Sequence, residues 1–74
     1  MRKPLAVQRR DYIASTGSII FGIKRMDKVA PPSGELFTFL GVKDGQVYLE
    51  RDDKTKGEPF EIIDSSDFSR YTKK

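Results

Sequence analysis

Arg9 and Arg10 stand side by side near the start of this 74-residue chain, with Arg2 and Lys3 before them and no acid among the first ten residues. Planar guanidinium forks suit the oxygens of phosphates and carboxylates. Lys73 and Lys74 add two cations at the other end. The chain has 14 Lys+Arg against 11 Asp+Glu, a net charge of +3, yet residues 11–72 hold 8 basic against 11 acidic residues. The positive charge therefore belongs to the ends, and the body is acidic. A basic terminal segment on an acidic body is a common way to hold a polyanion or an acidic protein surface. Lys24, Arg25 and Lys28 could extend that segment into a stripe, although Asp27 interrupts the run. Tyr12, between the basic segment and the rest, is expected to be an exposed contact. The competing readings are a disordered, solubilising terminus for the arm and a solvated strand end for Lys24, Arg25 and Lys28.

Other residue types suited to chemistry do not assemble. There is no cysteine and no histidine. That removes thiol nucleophiles, the usual zinc ligands and the usual general base near neutral pH. Gly17 and Gly22 have the spacing of a phosphate loop, but Ile23 stands where its lysine belongs. Asp52 to Gly57 imitates the start of a calcium loop, with Lys54 and Lys56 at positions that need oxygen ligands. Asp64 and Asp67 could pair for acid–base work, yet Asp67 falls in a first helical turn, where the helix dipole explains it. No serine has a base for a triad. The sequence thus predicts no catalytic residue, no metal and no cofactor, and a binding protein rather than an enzyme. The acids Glu50, Asp52, Asp53, Glu58, Glu61 and Asp64 cluster late in the chain. They are either ordinary surface charge or a face for a basic partner.

The elements that must position these groups are short. Residues 1–17 read as a flexible basic N-terminal arm, and residues 18–74 as one small β domain. A helix over Leu5 to Ala14, with Pro4 near its first turn, is the alternative for the arm. Ser18 to Arg25 is β-branched and aromatic and predicts a buried strand, with Gly22 as a bulge or bend. Residues 27–34 predict a loop containing Pro31 and Pro32. Glu35 to Glu50 predicts a hairpin turning at Asp44-Gly45. A two-residue turn pairs Val42 with Val47 and Leu40 with Leu49. A three-residue turn with a bulge at Gly45 pairs Leu40 with Tyr48 and Phe39 with Leu49, and the two choices swap faces. Pro59 to Ile63 predicts a further strand. Ser65 to Tyr71 predicts one helical turn capped by a serine, with Phe68 and Tyr71 on one face. The core is expected to contain Phe21, Ile23, Leu40, Leu49 and Ile62. Phe37, Phe39 and Tyr48 could form a base-stacking platform, but a chain this small needs its aromatics inside.

The order of strand, long loop, hairpin, strand and helical turn over residues 18–72 resembles the SH3-like small barrels. The fold class is therefore mainly β: a small, SH3-like, partly open barrel or an antiparallel meander, with one short helical turn and the basic arm. An OB-like sheet is a further alternative. The tryptophan with which signalling SH3 domains grip proline helices has no counterpart here, so the resemblance does not extend to proline-peptide binding. In whole profile — Arg2-Lys3, Arg9-Arg10, length, and a body without Cys or His — the chain is similar to small phage-encoded regulators of host RNA polymerase. That resemblance implies a cytoplasmic regulator of transcription. Its body would dock on a nucleoprotein machine, RNA polymerase first, with the arm near nucleic acid. A protein–protein adaptor or assembly subunit without nucleic acid contact is the second expectation, and a free nucleic-acid-binding barrel the third. No apolar run approaches the ~20 residues of a membrane span, and no small-molecule substrate is expected.

Overall fold

A computed structural model describes residues 4–74. The chain is mainly β and antiparallel throughout. Helix α1 (Leu5–Ser15) is followed by β1 (Ile19–Ile20), β2 (Ile23–Lys24), β3 (Lys28–Ala30), β4 (Phe37–Lys43) and β5 (Gln46–Arg51). A single 3₁₀ turn (Lys54–Lys56), β6 (Phe60–Asp64), α2 (Ser65–Phe68) and β7 (Thr72–Lys73) complete the chain. β1 and β2 form a two-stranded ribbon, and the other strands form one sheet in the order β6-β5-β4-β3-β7.

Asp44 and Gly45 form the central turn, with φ of 52° and 76°. Positive φ at both positions matches the right-handed twist of the flanking strands. The pairing combines the two expected registers. Val42 faces Val47, as a two-residue turn requires, while Phe39 faces Leu49. The extra residue is Leu40, which has no cross-strand partner and lies between the two registers. The bulge is thus inside β4 rather than at Gly45. The Leu40 carbonyl instead accepts a hydrogen bond from Arg25 Nε at 2.8 Å.

One face of the sheet carries the core. Val29, Phe37, Phe39, Val47 and Leu49 pack with Ile23 and Phe68. Phe68 comes from α2 and stacks on Phe39 with ring centres 5.6 Å apart. The helical turn is held by Ser65 N, which donates to Gly45 O at 2.8 Å, and Asp64 rather than a serine occupies its cap position. Leu40 is also fully buried. Burial of Phe37 and Phe39 makes them core residues rather than a stacking platform.

The other face is partly covered by α1. The helix follows Pro4, whose fixed φ of −56° suits a helix start and whose carbonyl accepts from Val7 N and Gln8 N at 3.0 Å. Tyr12 packs against Tyr48 and Phe60 with ring centres 5.2 and 5.1 Å apart. The helix ends where Thr16 Oγ1 donates to Tyr12 O at 2.7 Å. Gly17 then exchanges two backbone hydrogen bonds with Val42.

Three expectations are corrected. The segment expected as an arm is helical from Leu5 to Ser15 and docked on the sheet, because its aromatic and basic side chains find partners there. The segment expected as one buried strand is a tight ribbon turning at Phe21-Gly22, and the adjoining loop contains β3. Phe21 and Ile62 lie outside the core, 61% and 46% exposed, whereas Ile23, Leu40 and Leu49 are buried as expected.

Candidate functional site

The turn of the β1–β2 ribbon places a bulky aromatic residue at positive φ. Ile20 faces Ile23 and Ile19 faces Lys24, so Phe21 and Gly22 are the two turn residues. Their φ values are 53° and 75°. Such a turn favours Asn, Asp or Gly at both central positions. A bulky side chain at positive φ is a true outlier, strained by about 1–3 kcal/mol. Strain of this kind persists where the surroundings over-determine it and concentrates at functional positions.

The surroundings here do hold the ribbon firmly. Ile23 is buried, and Ile20 packs against the core cluster. Arg25 N donates to Ser18 O at 2.8 Å. The Arg25 guanidinium donates from Nε to Leu40 O and from Nη2 to Thr16 O, at 2.8 and 2.7 Å. One side chain thereby ties the ribbon to the bulge of β4 and to the end of α1. On the far side, Met26 N donates to Phe39 O at 2.7 Å, and Met26 has φ of 75°. The Asp27 carboxylate accepts from Lys24 N at 2.9 Å and pairs with Lys73 Nζ at 3.3 Å. The backbone hydrogen bond from Lys24, assisted by Lys73, holds the Asp27 carboxyl below its ordinary range.

This framework presents apolar groups to solvent. Phe21 sits at the tip, with one ring face turned to Phe68 at 6.4 Å. Ile19 and Met26 are each 54% exposed. Lys24, directly across from Ile19, is exposed too. The result is an apolar knob on a fixed base, with a cation at its side. Three of the six exposed large apolar side chains among the described residues gather here, two of them at strained positions. The knob can supply desolvated contact area and an aromatic anchor to a protein surface.

The cations expected to form a binding stripe are mostly engaged within the fold. Arg9 clasps Glu50 through Nε and Nη2, at 2.6 and 2.7 Å. Arg25 serves the two carbonyls described above. Lys28 Nζ donates to Thr38 Oγ1 at 2.7 Å and pairs with Asp52 at 2.9 Å. Desolvation pushes the Asp52 carboxyl up, but the bonds from Lys28 and Thr38 outweigh it and hold it below its ordinary range. Tyr12, expected to be an exposed contact, is half-buried under its two aromatic partners. Arg10 and Lys24 remain exposed. Arg2 and Lys3 lie outside the described residues. The contact candidates that sequence reasoning passed over are Ile19, Phe21 and Met26. Their one signal was Gly22 inside an apolar run, which marks a turn as readily as a bulge.

A groove of about 780 Å³ runs between α1 and Glu58–Phe60. Its floor is the Tyr12–Phe60 contact that seats the helix, and Asp11 and Glu58 at its rim have partners of their own. Among the described residues no cluster of acids could hold a metal ion, and no helix is long and apolar enough to cross a membrane. The chain matches no protein-family model, no curated protein and no solved structure.

Proposed function

We propose that this protein is a non-enzymatic binding module that docks on a protein partner through the Ile19–Lys24 ribbon and Met26. The observation that carries this reading is Phe21, an aromatic side chain at positive φ and 61% exposed on a rigidly held turn. A residue chosen for folding alone at that position would be Asn, Asp or Gly. Within this reading the partner is a cytoplasmic nucleoprotein machine, RNA polymerase first. The support for that class is the net charge of +3, concentrated at the chain ends. The adaptor reading needs the ribbon alone and no nucleic acid. It gains weight from Arg9, Arg25 and Lys28, whose charges are engaged inside the fold.

The test is Phe21→Asn. Asparagine relieves the backbone strain and removes the aromatic anchor, while the ring contact to Phe68, a term of about 0.5–1.5 kcal/mol, is lost. Stability should therefore stay within about 1 kcal/mol of the parent. Capture of RNA polymerase from a nuclease-treated lysate should be lost in this variant. If the folded variant captures the same partners as the parent, the ribbon is not the docking surface. If the parent captures a protein partner but no polymerase, the adaptor reading stands in its place.

A further inference from the structure

The two edges of the main sheet differ in kind. β7 is two residues long and carries Lys73, with Lys74 next to it. Short length and lysine are standard protections of a sheet edge against pairing with another chain. β6 has neither. Phe60-Glu61-Ile62-Ile63-Asp64 is a five-residue strand without lysine, glycine, internal proline or bulge.

The direction of its backbone groups follows from two hydrogen bonds. Arg51 N donates to Pro59 O at 2.7 Å, and Ser65 N donates to Gly45 O at 2.8 Å. With Leu49 opposite Glu61 and Val47 opposite Ile63, residues 59, 61, 63 and 65 turn their backbone groups toward β5. Phe60, Ile62 and Asp64 therefore turn theirs outward. Among the described residues no strand pairs with that side. Ile62, in the middle of the row, is 46% exposed.

We propose that β6 is a self-pairing edge, joining β6 of a second copy antiparallel about a two-fold axis at Ile62. This register is self-complementary. It sets Ile62 opposite itself, Phe60 opposite the second copy's Asp64, and Glu61 opposite the second copy's Ile63. No like charges stand directly across from one another. Glu61 is already paired with Arg51 Nη2 at 2.9 Å. About four ladder hydrogen bonds form, two between the Ile62 residues and one from Asp64 N–H to Phe60 C=O at each end, because the Asp64 carbonyl is taken by the first turn of α2. The two Ile62 side chains cover each other, which gives the most exposed apolar residue of the main sheet a place. The two five-stranded sheets become one continuous sheet, in which each copy keeps its own ribbon free. The contact is smaller than the ~800 Å² per partner of a standard interface, so the dimer is weak and concentration-dependent.

Sedimentation velocity and amide exchange on the full chain test this. Between about 10 µM and 1 mM, the average mass should climb from 8.4 kDa toward twice that value. The amides of Ile62 and Asp64 should gain protection over the same range. Ile62→Lys places a cation at the two-fold axis and should stay monomeric with an unchanged melting curve. Ile62→Pro deletes an outward N–H and should do the same. Phe21→Asn should dimerise like the parent. A mass that stays monomeric throughout, a dimer that survives both Ile62 variants, or a dimer abolished by Phe21→Asn each overturns the proposal. Only the last would place the dimer contact on the ribbon.

Discussion

Arg9 and Glu50, 41 residues apart in sequence, form a two-pronged ion pair between α1 and the end of β5. Glu50 is only 5% exposed, and Lys54 Nζ, at 3.2 Å, is its second cation. The hydrogen bonds from Arg9 hold the Glu50 carboxyl below its ordinary range, against the upward push of burial. A folded-state value depressed below the unfolded one adds stability that is present above the unfolded pKa. That stability is lost as pH falls through the folded value. The unfolded value is about 4.3. Urea midpoints measured at falling pH should therefore drop more steeply below about pH 5 in the parent than in Glu50→Gln. Equal slopes in both proteins would show that Glu50 is not the carboxylate concerned.

Arg9→Ala should cost about 1–2 kcal/mol at neutral pH, since one prong of the pair is partly solvated and Lys54 remains. This makes Arg9 a structural residue and changes what salt should do. If duplex DNA binds the N-terminal segment, Arg2, Lys3 and Arg10 neutralise at most about three phosphates, giving a log–log salt slope near −2.7. The slope for Arg9→Ala should equal that of the parent. A slope that flattens in this variant without loss of stability would mean that Arg9 leaves Glu50 for phosphate.

Two glycines should fail for different reasons. A methyl group on Gly41 would lie 1.7 Å from Thr16 Oγ1 and 2.3 Å from Thr16 Cβ. Gly41→Ala must therefore push the end of α1 off the sheet, at a cost of about 1–3 kcal/mol or more. At Gly45 a methyl group meets nothing within 4 Å, but φ is 76°. Gly45→Val should cost about 1–2 kcal/mol through the backbone alone. Thermal melts separate the two: Thr16→Gly should rescue Gly41→Ala in part and leave Gly45→Val as it was.

Local signals served the sequence reading well wherever one face of a strand decides its pairing. Asp44-Gly45, the strands around it and the Phe68–Tyr71 face all lie where turn chemistry and alternation place them. The register could not be fixed from the turn, because the bulge at Leu40 is stabilised by Arg25, from a distant part of the chain. The ribbon at Phe21-Gly22 escaped because Phe is a poor residue for a turn, and its place there is a departure from propensity. The helix Leu5–Ser15 was legible only as the alternative to a flexible arm, for a related reason. Its docked side is held by Arg9, Tyr12 and Thr16, which makes no apolar stripe in the sequence. Charge counting located the basic residues but could not tell that Glu50, Asp52 and two backbone carbonyls would take up three of them.

The seat of α1 also sets an order in time. The helix leaves the ribosome well before Tyr48, Glu50 and Phe60, which hold it. An isolated segment of 11 residues is too short to be a stable helix in water. During synthesis it has nothing to fold against until β4, β5 and β6 have emerged and paired. The N-terminal segment is then the last piece to settle, and a nascent chain halted before Phe60 would present its arginines uncovered.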